Sequence, residues 1–361
     1  MHALGRVEDP DLHKDLVTLG MVKGVEIDGS GVRVTVELTT PACPMKDRIR
    51  SDIEREVAAA ARAEGSATPA VTVEFTAHVR SASASRKGTP LEGVAHVIAV
   101  GAGKGGVGKS SVSVNLAVGL ARLGARVGLL DGDIYGPSLP TMLGLDDLRG
   151  EIRGEMLVPF EVHGIKAITI GKLVDPDKAL IWRGPMAHGA FKQLITQTLW
   201  GTLDYLIVDL PPGTGDVPLT LAQLVPLSGA VIVCTPQRVA QDDARRAIRM
   251  FQQLNVEVLG VVENMSSFVG DDGKEYDLFG KDGAKTMATS MGLPFLGAIP
   301  ISMELRRNAD AGTPLANWDA SPAVANALDG VCTRVASELS IRAARGQLVQ
   351  PTLSVVSHQK G

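Results

Sequence analysis

The chain has 361 residues, and its 36 Lys and Arg against 40 Asp and Glu leave a net charge of −4, which excludes capture of a nucleic-acid backbone by bulk charge as its main business. At about 150 residues per domain the length predicts two domains or three, with a core large enough to need no staples. A composition 45% apolar excludes general disorder, and 4% aromatic residues speak against a stacking platform for bases or sugars.

The opening residues MHALGRVEDPDLHKD carry acids where a signal peptide needs an apolar core, so a cytoplasmic protein is expected. Residues 1–76 read as a small α+β domain. Met21–Ile27 and Val32–Leu38 are strand-like, with a hairpin turn at Asp28-Gly29-Ser30-Gly31, and Val32, Val34, Val36 and Leu38 alternate with polar residues. Met45–Ala63 reads as an amphipathic helix and Val71–Phe75 as a further strand. Residues 77–93 hold a Ser-, Ala- and Gly-rich stretch expected to be a linker. From 94 to 345 apolar strands alternate with helices, the pattern of a mostly parallel sheet with helices on both faces. The strand candidates are Val97–Gly101, Val127–Asp131, Ile165–Ile170, Tyr205–Asp209, Ala230–Thr235 and Val258–Glu263. The uncharged stretch Val217–Gln237 is broken by Pro218, Pro226 and Pro236, so it reads as a short helix and a buried strand rather than a membrane span. Ser321–Arg345 reads as a last helix with Val324, Leu328, Val331 and Val335 on one face, and 346–361 as a loose tail.

The chemistry gathers at Gly101-Ala102-Gly103-Lys104-Gly105-Gly106-Val107-Gly108-Lys109-Ser110-Ser111. Gly101, Gly103 and Gly106 satisfy GxGxxG, and Asp131 ends the next strand, as in a dinucleotide-binding fold. Gly103, Gly108, Lys109 and Ser110 also satisfy the more demanding GxxxxGK[ST]. There the backbone N–H groups wrap phosphates, Lys109 meets the β/γ charge, and Ser110 can ligate Mg²⁺. A second signal decides between the two. Leu206-Ile207-Val208-Asp209 is an apolar strand ending in an acid able to hold Mg²⁺ through its water shell, followed by the stiff loop Pro211–Asp216. A third is Asp131-Gly132-Asp133-Ile134-Tyr135-Gly136-Pro137-Ser138, two acids at a strand's carboxyl end, one to influence Mg²⁺ and one to orient the attacking water.

With Lys104 directly after the first glycine, the loop is a deviant Walker A motif. Together with the Asp131–Ser138 and Asp209–Asp216 segments and Glu263-Asn264-Met265-Ser266, the stretch from about Val94 to Pro314 resembles the Mrp/ApbC family of P-loop ATPases, iron–sulfur cluster carriers related to the MinD/ParA ATPases. Residues 1–76 resemble the iron–sulfur-assembly domain often fused to them, through Thr39-Thr40-Pro41-Ala42-Cys43-Pro44. The resemblance implies an ATPase that works as a homodimer and delivers clusters to apoproteins alongside iron–sulfur assembly proteins. The charge balance speaks against a nucleic-acid partner, and the tail 346–361, with one cation and a proline, against a membrane partner. Lys104 would reach the partner subunit's phosphates. Lys109 and Ser110 keep their loop roles, Asp133 would position water, and Asp131 and Asp209 would lie near Mg²⁺. Asn264 would bind adenine, and Ile299-Pro300-Ile301 would wall the base.

One departure stands out. Cluster-carrying members have a CxxC before a Phe-Gly soon after this Glu-Asn-Met-Ser segment, and Ser267–Gly280 contains no cysteine. Asp271 and Asp272 are no substitute for thiolates. The three cysteines are Cys43, Cys234 and Cys332. The last two lie in apolar segments and read as core residues. Cys43, between a strand and a helix with Lys46 and Arg48 after it, reads either as a thiolate able to ligate an iron–sulfur cluster or as a small buried residue. A partner-switching ATPase of the MinD/ParA kind without a cluster is the competing function. A dinucleotide oxidoreductase is opposed by Lys109-Ser110 and Asp209.

Overall fold

The computed structural model describes residues 1–28, 31–79, 91–172, 184–270 and 272–345. The chain divides into two compact units, one of residues 1–80 with 336–347 and one built on residues 81–335.

In the first unit, strand β1 (Val22–Asp28) pairs antiparallel with β2 (Gly31–Leu38). Helix α1 (Lys46–Ala63) then leads to β3 (Val71–Ala77), parallel to β2. The alternation in β2 works as the pleat requires, burying Val34, Val36 and Leu38. Ile49 and Ile53, one helical turn apart on α1, close on that face, and Leu4, Leu16 and Met21 complete the core. The expected hairpin turn at Gly29 and Ser30, most of the expected linker (residues 80–90) and the tail from 346 lie outside the described residues.

The second unit is built on β4 (Val94–Gly101), α2 (Lys109–Arg122), β5 (Val127–Asp131), β6 (Phe160–Val162), β7 (Ile165–Ile168), α3 (Gly184–Thr196), β8 (Leu203–Asp209), α4 (Asp216–Leu224) and β9 (Gly229–Cys234). It continues with α5 (Arg238–Gln253), β10 (Val258–Val269), β11 (Glu275–Tyr276), α6 (Gly283–Ser290), β12 (Phe295–Ile301), α7 (Met303–Asp310) and α8 (Pro322–Ala344), of which the residues from Ala336 on belong to the first unit. Among the described residues these make one nine-stranded sheet in the order β6-β7-β5-β8-β4-β9-β10-β11, with β12 also on β10. The pairs β7–β5, β5–β8, β8–β4, β4–β9, β9–β10 and β10–β12 are parallel; β6 and β11 pair antiparallel. Every residue of β8 and β9 is buried, which is why Tyr205–Val208 and Ala230–Cys234 read as unbroken apolar runs.

From β4 the chain passes over β8 to reach β5, and later returns to β8 and then to β9 on the other flank. The carboxyl ends of β4, β5 and β8 therefore meet where the winding reverses, the place where such sheets bind ligands. The stretch Val217–Gln237 lies in α4 and β9, and among the described residues no helix is long and apolar enough to cross a membrane.

Most strands shift by a few residues from the expected bounds, and at two of them a specific contact explains the difference. β7 stops at Ile168, and a 3₁₀ turn (Ile170–Lys172) follows because Thr169 turns inward to a carboxylate. β10 runs six residues past Glu263, since Asn264 and Phe268 keep pairing with Ile299 and Ile301 of β12 across an irregularity at Met265, whose φ is 55°. Polar Asn264, Ser266 and Ser267 look like a loop in the sequence.

Helix α2 is buried around most of its girth, with Val112, Val114, Leu116, Val118 and Leu120 all inside. Gly119 lets α8 and Trp318 approach, for a Cβ there would lie 2.4 Å from Cys332 Sγ and 2.9 Å from Trp318 Cζ2. Gly119→Val is expected to lower stability in urea unfolding by about 1–3 kcal/mol through overpacking. Gly189→Ala, on an exposed position of α3 with nothing within 4 Å, should instead gain up to about 1 kcal/mol of helix propensity. Equal effects of the two would show that α2 is not tightly packed at Gly119.

Candidate functional site

The loop after β4 is shaped by its neighbours as much as by its glycines. Gly108 has φ 78°, a left-handed conformation that costs glycine little, and a Cβ there would sit 2.1 Å from Asn264 Nδ2. At Gly103 a Cβ would lie 2.1 Å from the backbone carbon of Asp243, so the loop rests directly on α5. Gly105 and Gly106 are exposed, and buried Val107 anchors the loop between them and Gly108.

Helix α2 starts at Lys109 and brings three side chains to one carboxylate. Lys109 Nζ donates to Asp209 Oδ1 at 2.7 Å and to Ser110 Oγ at 3.1 Å. Ser110 Oγ donates to Asp209 Oδ2 at 2.6 Å, and Ser113 Oγ to Asp209 Oδ1 at 2.6 Å. Asp209 is fully buried, so its charge is held by an ammonium and two hydroxyls rather than by water. Ser110 and Asp209 together offer an alcohol and a carboxylate, hard oxygen donors that suit Mg²⁺.

Asp131 ends β5 behind this group. Its Oδ2 accepts from Thr169 Oγ1 at 3.1 Å and from the Leu139 N–H at 3.4 Å, and its Oδ1 from the Asp133 N–H at 3.2 Å. Burial, and then the charge of Asp209, push its carboxyl up to about 7. Asp131 thereby braces the segment that carries Asp133, which is half-buried and accepts the Gly136 N–H at 3.2 Å.

A cavity of roughly 680 Å³ opens beside the loop, lined among others by Ser111, Asn264, Ile299, Pro300 and Phe279. Three amides tie its wall to α2. Asn115 donates to the Ser111 carbonyl at 2.8 Å, Asn317 to Asn115 at 2.7 Å, and Asn308 of α7 to Asn317 at 3.0 Å. Asn264 spends an N–H on the Val107 carbonyl at 2.9 Å, which fixes it against the loop while it lines the cavity.

A glycine loop, its lysine and a buried carboxylate meeting at the reversal point of a mostly parallel sheet have the make-up of a phosphate site. The family described as NUBPL iron-transfer P-loop NTPase matches residues 93–336, and the family described as iron–sulfur cluster assembly protein matches residues 1–68. The chain belongs to the NUBPL iron-transfer P-loop NTPase family. It is 46% identical over 343 residues to an iron–sulfur cluster carrier protein of Synechocystis, covering 93% of this chain and 96% of that one. It is 49% identical over 344 residues to one of Deinococcus radiodurans, with 95% of each covered. A solved nucleotide-binding protein of Archaeoglobus fulgidus in complex with ADP is 39% identical, with a TM-score of 0.56, covering 62% of this chain and 89% of that one.

Within this NTPase frame, Lys109, Ser110, Asp209 and the glycines come together, and Asn264 and Pro300 line the adjoining cavity. Lys104 is half-buried, and its charge reaches the Cys234 thiol, which burial and Glu263 push up to about 12. The sequence does not mark Ser113 and Thr169, whose hydroxyls sit among apolar residues and meet the buried carboxylates of Asp209 and Asp131.

The cysteines do not gather. Cys332 is fully buried against α2, and among the described residues no group of three or more His, Cys, Asp or Glu could hold a metal. Cys43 is half-buried, and burial, with Asp9 and Asp11 adding to it, pushes its thiol up to about 11. The Met45 N–H and Lys46 offset only part of this. Burial thus favours the protonated thiol, and a thiolate at Cys43 would have to be drawn out by bound iron. Alkylation of the native protein by iodoacetamide should be confined to Cys43 and should accelerate about tenfold per pH unit to a plateau near 11. A plateau near pH 8.5 would mark a solvated thiol instead.

Proposed function

We propose that the protein binds and hydrolyses Mg²⁺-ATP and uses that cycle, as a homodimer in the cytoplasm, to carry iron–sulfur clusters to apoproteins. The observation that carries the nucleotide half is the Lys109–Asp209–Ser110 group under the glycine loop. Lys109 exchanges its carboxylate partner for the β/γ-phosphates, and the loop N–H groups hold the phosphate oxygens. Ser110 and Asp209 would hold Mg²⁺, which when bound supplies charge neutralisation on those oxygens. Asp133, on the segment braced by Asp131, orients the attacking water, and Lys104 extends from the loop to the partner subunit's nucleotide.

Lys109→Ala is expected to abolish ATP binding measured by calorimetry. Lys104→Ala should keep the affinity within about threefold yet lose about 100-fold or more in turnover, because its charge acts on the transition state. Equal loss of binding and turnover in Lys104→Ala would instead put that lysine in its own subunit's ground-state site.

The cluster half is supported by family membership and by relatives named iron–sulfur cluster carrier proteins along nearly their whole length. The cluster is cargo, and its thiolates must come largely from outside the chain, since Ser267–Gly280 holds no cysteine and Cys43 gives a dimer only two. Anaerobic reconstitution with iron and sulfide should therefore yield a weak, chelator-labile visible band that Cys43→Ala abolishes while ATP hydrolysis persists. A robust band in Cys43→Ala would reassign the ligands. No iron binding at all, even with scaffold proteins present, would favour the partner-switching ATPase, the reading that the cysteine-free stretch supports.

A further inference from the structure

Strand β10 does not end at the phosphate site. It continues to Val269 and returns as β11, pairing Phe268 with Tyr276 and Val269 with Glu275. The resulting arm is braced on both sides. Tyr276 Oη donates to Asp272 at 2.9 Å, and Lys281 Nζ meets Glu275 at 3.2 Å. Downstream, buried Glu263 accepts the N–H of Ala284 in the first turn of α6 at 2.7 Å. Between these anchors the turn Asp277–Gly280, closed by the Gly280 N–H on the Asp277 carbonyl at 3.0 Å, carries Leu278 and Phe279.

Both side chains line the 680 Å³ cavity, yet they remain 60% and 39% exposed. A fixed turn that holds a leucine and a phenylalanine at the mouth of an apolar cavity leaves apolar surface that an occupant would cover. The cavity borders the glycine loop at Ser111, in the first turn of α2, and at Asn264, which is bonded to the Val107 carbonyl, so a nucleotide held on the loop by its phosphates would reach into it. Ile299 and Pro300 line the same cavity and are apolar, which suits the face of a heterocyclic base.

We propose that Leu278 and Phe279 close over the base of the bound nucleotide in the cavity that Pro300 also lines, so that the turn beyond β11 contacts the base while the glycine loop holds the phosphates. This rests on the P-loop reading above. The arm continues the strand whose Asn264 is bonded to the loop, so Asn264 and the turn beyond β11 belong to one stretch of chain.

The test compares ADP with inorganic tripolyphosphate, which has the charge and no base, by calorimetry on the full chain. Phe279→Ala should weaken ADP about tenfold and leave tripolyphosphate within about twofold, the loss expected for one base–aromatic contact. Phe279→Trp should retain ADP affinity, and its added fluorescence over the native protein should be quenched by ADP and not by tripolyphosphate. Unchanged ADP affinity in the Leu278→Ala, Phe279→Ala double variant would overturn the proposal, as would equal weakening of both ligands. A native protein that binds neither ligand would defeat the P-loop reading and this inference with it, whereas tripolyphosphate bound normally beside an indifferent Phe279→Ala would defeat this inference alone.

Discussion

Asp209 is the constraint on which the phosphate site depends. Withdrawing a carboxylate from water costs several kcal/mol even after relaxation, and only close, well-oriented donors offset it. Lys109, Ser110 and Ser113 supply them from one end of α2, and the Gly132 N–H takes the Asp209 carbonyl at 2.8 Å from the neighbouring strand end. The start of the helix and the ends of β5 and β8 are therefore held in register by one charged group. Removing any donor leaves charge uncompensated in the interior, so the arrangement is hard to alter piecemeal.

A second buried acid so close would be costly if it too were charged. Burial and Asp209 together push Asp131 up to about 7, so near neutral pH it carries only part of a charge. The floor of the site then holds less negative charge than two ionised carboxylates would, with Lys109 bonded to Asp209, and the loop N–H groups are left to face phosphate. Thr169 and the two backbone donors on Asp131 keep that acid oriented whichever protonation state it takes.

The glycine loop and the acids at the ends of β5 and β8 could be read from the sequence because their signal is local: a strand, a fixed spacing and a residue type. What escaped depends on residues far apart in the chain. Ser113 finds its acceptor 96 residues on and Thr169 finds Asp131 38 residues back, while the Asn115–Asn317 bond spans 202 residues. The arm beyond Glu263 was missed because its polar residues mimic a loop while the ladder to β12 continues. For Cys43 the nearby cations were visible in the sequence, but the burial and the two aspartates that outweigh them come from folding the first residues back over it.

The fit of Gly108 against Asn264 has a mechanical consequence. The space where a Cβ would stand is taken by the amide, whose nitrogen also grips the Val107 carbonyl. There is no slack at this joint: a displacement of β10 must move the last turn of the loop, and a loop drawn in around phosphate must pull on β10. Any larger side chain at 108 would jam the joint, and a shorter one at 264 would uncouple it, so these two positions behave as a single machine part whose tolerance is set to less than the width of a methyl group.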